Sequence, residues 1–316
     1  MIRASMLLGL GLMLAGSVAA VADDAALPAD PMTPITSFDY SATPVEDSKL
    51  FGLIATSDHD FDCFISPMSN PVYFEDPRTL TEARTIFANH NIPHSLGSGS
   101  VQLLAMQLRA ALTENLSLIA TKDGFFISDS PLLNDGFADV NIGLKYNLFK
   151  DYQTQTLLST GFTYEIPMGS HAALQGQGSG EFNCFLNGGK QLGEYWHVLS
   201  AFGVRIPTNT HQQSQSTYWS NHLDRRLGDS GFYLFTEANW YHWMSSGSTF
   251  QASVEGLDLF NLGSTNVAGN NIVTGAYGVK YKPHGRLELG VAYEIPYTER
   301  RDIIQNRMMV DLILRY

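Results

Sequence analysis

The stretch Met308 to Tyr316, M-M-V-D-L-I-L-R-Y, constrains the fold more than any other. Met308, Val310, Leu312, Leu314 and Tyr316 share one face at period two, while Asp311 and Arg315 share the other with Met309 and Ile313 between them. A strand that turns an apolar row one way and charges the other needs apolar surroundings on one side and polar partners on the other. Whatever sheet it joins must alternate in the same way.

The opposite end reads as an export signal. Met1 to Ala22 has one early positive charge at Arg3, an apolar core M-L-L-G-L-G-L-M-L-A-G, and small residues Ala20, Val21 and Ala22 ahead of Asp23. This is the pattern of a secretory signal peptide, too short and too weakly flanked for a membrane anchor. The formal net charge is -12, and loss of residues 1–22 removes Arg3 and no acid, so nucleic acid is disfavoured as a partner. Mean hydropathy is -0.07 and no second apolar run of about 18 residues follows, so no helix is expected to span a membrane. With 28 Gly, 14 Tyr and 18 Phe, the composition suits strands that hide an apolar face in alternation.

Residues 23–80 differ in kind. They are rich in Pro, Asp, Ser and Thr, carry scattered aromatics including Phe38, Tyr40 and Phe51, and show no sustained period. From residue 81 to 316 the alternation is continuous. Strands are expected at Val101 to Leu112, Leu116 to Phe126, Phe137 to Phe149, Thr156 to Ile166, Glu181 to Lys190, Trp196 to Ile206, Phe232 to Trp243, Ile272 to Tyr281, Leu287 to Tyr297 and Met308 to Tyr316, with weaker ones at Thr81 to Asn89 and Thr249 to Leu259. Their connections sort into short links (Glu114-Asn115, Lys150 to Tyr152, Gly189 to Glu194, Ser245 to Ser248, Lys282 to Gly285) and long ones (Ser128 to Gly136, Met168 to Ser179, Thr208 to Gly231, Phe260 to Asn270). Such sorting predicts an all-β fold, a transmembrane antiparallel up-and-down barrel of about 12 strands with short turns at one rim and long loops at the other.

An internal echo supports the register. Gly161-Phe-Thr-Tyr-Glu-Ile-Pro167 returns as Gly290-Val-Ala-Tyr-Glu-Ile-Pro296, each ending on a proline that cannot continue a ladder. Tyr146, Tyr164, Tyr281 and Tyr293 would join aromatic girdles, and His242 beside Trp240 would face lipid near the short-turn rim. The inward face collects Arg109, Lys145, Arg205, Lys280, Arg286 and Arg315 with Asp139, Glu165, Glu237, Glu288, Glu294 and Asp311. Two readings stay open: a polar pathway that selects solutes, or a barrel filled by its own paired charges.

Phe61, Phe64, Tyr73, Phe74, Glu75, Asp76 and Arg78 mark a segment suited to a fixed, irregular path inside the barrel, as a plug, or beneath it as a periplasmic extension. The run His211 to Arg226, with Ser214, Ser220 and His222, raises a lipid-hydrolase reading but is expected to be an exposed polar loop. No catalytic residue is assigned. The spacing of the nine histidines and two cysteines matches no metal or nucleotide motif, so no metal and no cofactor is expected. Alternation points Cys184 outward, and its pairing with Cys63 is left open.

The closing strand with its terminal aromatic resembles that of bacterial outer-membrane β-barrels, whose last aromatic residue is read by the barrel-insertion machinery. Together with Asn70-Pro-Val-Tyr-Phe-Glu-Asp-Pro-Arg78 and the Gly-x-x-Tyr-Glu-Ile-Pro exits, the chain resembles a family of outer-membrane transporters associated with the meta pathway of phenol degradation. The resemblance implies a barrel in the outer membrane of a Gram-negative bacterium, in contact with outer-membrane lipid, closed by Tyr316 and passing small solutes, hydrophobic ones included. A closed structural barrel with binding loops is the competing expectation.

Overall fold

The structure, a computed structural model, describes residues 49–50 and 52–316. The export signal at 1–22 and the aromatics Phe38, Tyr40 and Phe51 lie outside the described residues. Twelve antiparallel strands form one closed barrel. They are β1 (Glu82–Asn91), β2 (Ser100–Ala111), β3 in two pieces (Leu116–Lys122 and Phe125–Ser128), β4 in two pieces (Gly136–Phe137 and Val140–Asp151), β5 (Thr156–Ile166), β6 (Glu181–Leu192), β7 (Trp196–Pro207), β8 (Ser216–Arg226), β9 (Phe232–Trp243), β10 (Asn271–His284), β11 (Leu287–Pro296) and β12 (Asn306–Arg315). Each pairs with its neighbours in sequence, and β12 returns to β1 in the register Glu82 with Arg315 through Asn91 with Asn306. Closure removes the sheet edges, so the ladder satisfies its own backbone groups without water.

Links 112–115, 152–155, 193–195, 227–231 and 285–286 are short, and links 92–99, 129–135, 167–180, 208–215, 244–270 and 297–305 are longer, strictly in turn. Outward side chains form an apolar belt. Leu104, Met106 and Leu108 on β2 are 58%, 48% and 48% exposed, and β4, β11 and β12 repeat the pattern with Leu148, Leu289, Val291, Leu312 and Leu314. A contiguous exposed apolar belt fits hydrocarbon rather than water. Tyr146, Tyr164, Tyr281 and Tyr293 point outward as expected.

Two sequence expectations fail and offset each other in the strand count. Ser216–Arg226 is a strand, not a loop. Its outward row includes Asn221 and Arg225, so the apolar period is interrupted. The outward polar groups satisfy one another across the wall: Trp219 donates to Ser200 Oγ, which donates to Asn221 Oδ1, both at 2.9 Å. Conversely, Thr249 to Leu259 is not a strand but part of the long loop 244–270. Its apolar residues Leu257 and Leu259 turn inward and are buried with Phe260 and Leu262. The exchange reverses the direction of β9 relative to the expectation, so Trp240 and His242 lie at the long-loop rim. The short link expected at Ser245 to Ser248 and the separate long link at Phe260 to Asn270 merge into this one loop.

The break in β3 has a local cause. Gly124 has φ +117°, and a Cβ there would meet Leu104 O at 2.5 Å. Asp123 accepts the Met106 N–H at 2.7 Å, and Gly124 O accepts the Ala138 N–H at 2.9 Å, so the ladder is maintained across the interruption.

A strand at 216–226 predicts alternating access. In a background with Cys63→Ser and Cys184→Ser, Trp219→Cys and Leu223→Cys should react with a lipid-soluble thiol probe about ten-fold faster than Ser220→Cys. Equal rates at the three positions would restore the loop.

Candidate functional site: the filled barrel interior

The segment between residues 57 and 81 runs inside the barrel, and this is where the inward charges find their partners. Phe61, Phe64, Tyr73, Phe74, Glu75, Asp76 and Arg78 are all buried. The segment enters beside the barrel seam: Ser57 N–H donates to Tyr316 O at 2.7 Å and Tyr316 N–H to Thr81 O at 2.9 Å. Its prolines and its turn at Asn70, where φ is 51°, suit an irregular path whose backbone groups must be satisfied by side chains from the wall. Arg84 donates to Pro67 O, Gln107 to Pro71 O and Asn147 to Pro77 O, at 2.8, 2.8 and 2.9 Å. Lys282 donates to both Asp62 O and Phe64 O at 2.7 Å.

The charges form a chain of alternating sign around much of the circumference. Lys145 donates to Glu75 at 2.8 Å, and Arg109 holds the same carboxylate at 2.5 Å while reaching Glu82 at 3.0 Å. Arg315 then joins Glu82 at 2.7 Å to Glu288 at 2.6 Å. Lys280 joins Glu288 at 3.2 Å to Asp311 at 2.9 Å, and Arg84 closes on Asp311 at 2.8 Å. Within the segment Arg78 pairs with Asp76 at 2.7 Å and donates to Phe64 O at 3.0 Å. A buried charge without a partner is costly; the inserted segment brings Glu75 to two wall cations.

Nearer the long-loop rim the pairs are Lys122 with Glu165 at 3.0 Å, Arg205 with Glu181 at 2.6 Å, and Arg307 with both Glu294 at 2.7 Å and Asp258 at 2.9 Å. Asp139 accepts the N–H groups of Gly169 and Gly176, both at 2.8 Å. Arg205 also lies over the Tyr73 ring, 4.6 Å from its centroid, and Tyr73 stacks on Tyr218. Loop 244–270 folds into this half. Arg205 donates to Leu257 O at 2.6 Å, Asn261 to Glu181 at 2.6 Å, and Glu255 accepts from Ser214 Oγ and the N–H groups of Leu262 and Ser264. Wall residues Ile86, Ala88, Leu103, Ala105 and Phe126 form an apolar patch among these pairs, and a residual cavity of about 20 Å³ lies between them, Val72 and Leu259.

Of the charges expected inside, Arg286 is not: it is exposed in the turn 285–286, because β11 begins one residue later, at Leu287. Sequence reading missed Glu82, Arg84, Lys122, Glu181, Lys282 and Arg307, which sit at strand ends or in a weakly patterned strand where the period carries little signal. It also missed His197, Asp224 and His222 as interior residues; the latter two belong to β8, read as a loop.

The serine and histidine side chains of 211–226 do not assemble for catalysis. Ser220 accepts from Asn70 Nδ2 at 2.9 Å, Ser214 donates to Glu255, and both ring nitrogens of His222 face carboxylates. Among the described residues, no group of three or more His, Cys, Asp or Glu is placed to hold a metal ion. Cys184 is exposed on the outer wall and Cys63 sits inside with its thiol 3.0 Å from Gln155 Oε1; the two are not bonded.

No family model matches the chain, and no curated protein sequence matches it. Among solved structures the chain is similar to an outer membrane channel from Pseudomonas putida F1, with 12% identity over 80% of this chain and 100% of that one and a TM-score of 0.54. The NanC porin (7% identity, 75% and 98% covered, TM-score 0.47) and the KdgM porin (10%, 74% and 99%, 0.45) are more distant. At these identities the likeness is one of fold.

Two outcomes test the interior. Arg109→Ala removes one of the two cations at each of Glu75 and Glu82, leaving Lys145 and Arg315, and should cost about 1 to 3 kcal/mol in a denaturant titration. In loop 297–305, burial pushes the Asp302 carboxyl up to about 7, opposed by Arg300 and the Glu255 N–H it accepts. Because docking favours the protonated acid, loop docking is strongest below the ordinary carboxylate range and weakens as pH rises through about 7. Protease cleavage within 244–270 should therefore rise with pH relative to Asp302→Asn measured at the same pH; a constant ratio would contradict it.

Proposed function

We propose that this protein is a channel of the bacterial outer membrane for small solutes, with the inserted segment as its plug and loop 244–270 as a second cover at the long-loop rim. The observation that carries this reading is the chemistry of the wall where the segment touches it. Those contacts come from Arg84, Gln107, Arg109, Lys145, Asn147 and Lys282, groups that water can satisfy as well as the segment does. A barrel meant only to be a solid wall has no need of a hydratable lining under a removable chain. The apolar interior beyond it, around Val72, Ile86, Leu103 and Phe126, favours solutes with apolar surface, entering from the long-loop side. In this reading the belt meets outer-membrane lipid, and the chain reaches its place by secretory export and the barrel-insertion machinery.

The competing reading, a closed structural barrel whose loops bind partners, draws support from the completeness of the ion-pair network. Single-channel recording in a planar bilayer separates the two. The mature protein lacking Asp23 to Pro77 should show conductance steps absent from or smaller in the intact chain. Silence from both forms, with folding verified by heat-dependent gel mobility, would establish the closed barrel instead.

A further inference from the structure

On the β7 to β9 side a wall carboxylate holds the inserted segment by its N–H groups, as Glu288 holds the Ser66 N–H at 3.1 Å on β11. Glu237 of β9 accepts the backbone N–H of Met68 at 2.8 Å, the N–H of Ser69 at 2.5 Å and the Ser69 hydroxyl. Its Oε1 also faces His222 Nδ1 at 2.7 Å. The other ring nitrogen of His222, Nε2, faces Asp224 Oδ2 at 3.1 Å, and Asp224 Oδ1 faces His197 Nδ1 at 2.7 Å. All four side chains are buried, and Phe235 stacks on the His222 ring at 5.4 Å.

A neutral imidazole has one donor and one acceptor, whereas an ionised carboxylate only accepts. His222 has a carboxylate oxygen at each nitrogen. With a neutral ring between two ionised carboxylates, one nitrogen lone pair would face a carboxylate oxygen inside the barrel, whereas the imidazolium donates to both. His197 needs no such charge, because its Nε2 has no hydrogen-bond partner among the described residues and an Nδ1–H tautomer suffices. Placing the proton on Glu237 instead would remove acceptor capacity from a carboxylate that already receives the segment's three donors.

We propose that His222 is a proton-operated latch on the plug: with its proton, the ring ties Asp224 to Glu237 and keeps Glu237 aimed at the Met68 and Ser69 N–H groups, and loss of that proton to solvent loosens this turn. The proposal rests on the plug reading above and supplies its regulation. Raising pH is the direction of release.

The titratable groups around the ring are His197 on β7, Asp224 on β8, and Glu237 and Tyr233 on β9, the last with its ring 6.1 Å from that of His197. Lys280 and Lys282 on β10 are tied to Glu288 on β11, at 3.2 and 3.5 Å. On the segment Met68, Ser69 and Asn70 are neutral, and burial pushes the nearby Cys63 thiol up to about 11, so it stays protonated across the range of interest. Lys145, Glu288 and Lys282 also hold the segment's backbone, at Asp76 O, at the Ser66 N–H, and at Asp62 O and Phe64 O; Lys282, on β10 next to Glu237's own strand, is the one to be separated from His222.

The test is hydrogen exchange of the Met68 and Ser69 amides in the full chain in detergent, expressed at each pH as a ratio to His222→Gln so that intrinsic exchange cancels. Glutamine keeps one donor and one acceptor and does not titrate. Near pH 6 the wild type should exchange about ten-fold more slowly than His222→Gln, and the two should converge as pH rises and the ring loses its proton. Lys282→Arg, which keeps its cation throughout, should leave that pH dependence intact. A ratio constant over the range, or a dependence that vanishes in Lys282→Arg, would overturn the latch. Should His222→Gln fail to fold, Asp224→Asn leaves the ring one carboxylate and should move the loss of wild-type protection to lower pH; no movement would equally overturn it. Exchange reads the seating of the segment alone. Conductance recorded on the same proteins asks separately whether seating controls passage, so a latch without conductance would sink the channel reading and leave the latch standing.

Discussion

Everything in this structure depends on a ring of strands that leaves its charges nowhere to go but inward. Once β12 pairs with β1, the backbone is satisfied and the outer face is committed to apolar residues. Period-two alternation then sends Arg84, Arg109, Lys145, Lys280, Glu82, Glu288, Asp311 and Arg315 into a confined interior. Their desolvation is tolerable only when each charge has an opposite close by and its remaining hydrogen-bonding capacity filled. The wall meets part of that need across adjacent strands. The chain preceding β1 meets the rest, with Glu75 at Arg109 and Lys145 and with backbone carbonyls at Arg84 and Lys282.

The interior is filled by two parts of the chain. Toward the short turns the wall is charged and the segment 57–81 is bound through its backbone and acids. Toward the long loops an apolar patch of wall lies among the pairs Lys122–Glu165, Arg205–Glu181 and Arg307–Glu294, and loop 244–270 buries Leu257, Leu259, Phe260 and Leu262 over it, fixed by Asp258 to Arg307 and by Glu255 to its neighbours. Both covers are held by buried ion pairs and hydrogen bonds, and the second also by apolar burial. The first can exchange its hydrogen bonds for water with small net change, while the second must also expose apolar surface to leave.

Much of this was legible in the sequence because outward residues are strictly selected by lipid and leave a clean period. β5 was read with its observed ends, and the closing strand with both faces correct. Legibility fails where the outer row is not apolar. β8 presents Asn221 and Arg225 outward, satisfied by Ser200 and by the Trp196 ring, which lies 5.4 Å from the Arg225 guanidinium. Periodicity has no means of registering such local repair, so the strand was read as a loop and His222 and Asp224 were lost from the interior with it. In loop 244–270 the opposite happened: inward-capping leucines mimic a strand. The aromatic and proline content of Phe61 to Arg78 marks a fixed irregular segment, inside the barrel or beneath it, but which wall charges receive it is a matter of register between segments far apart in sequence, and no local pattern encodes it.

The central claim is that the chain's own segment occupies the barrel and controls what passes. It is tested most directly by tying the segment to the wall. Asn70→Cys and Ser220→Cys, whose native side chains are hydrogen-bonded at 2.9 Å, can be bridged through two disulfides by a short bis-methanethiosulfonate, with methanesulfinate as the leaving group, in a background with Cys63→Ser and Cys184→Ser. A seated plug predicts that the bridge forms in the membrane-embedded protein, that conductance falls when it forms, and that reduction restores it. A bridge that does not form, or one that leaves conductance unchanged, would contradict the claim.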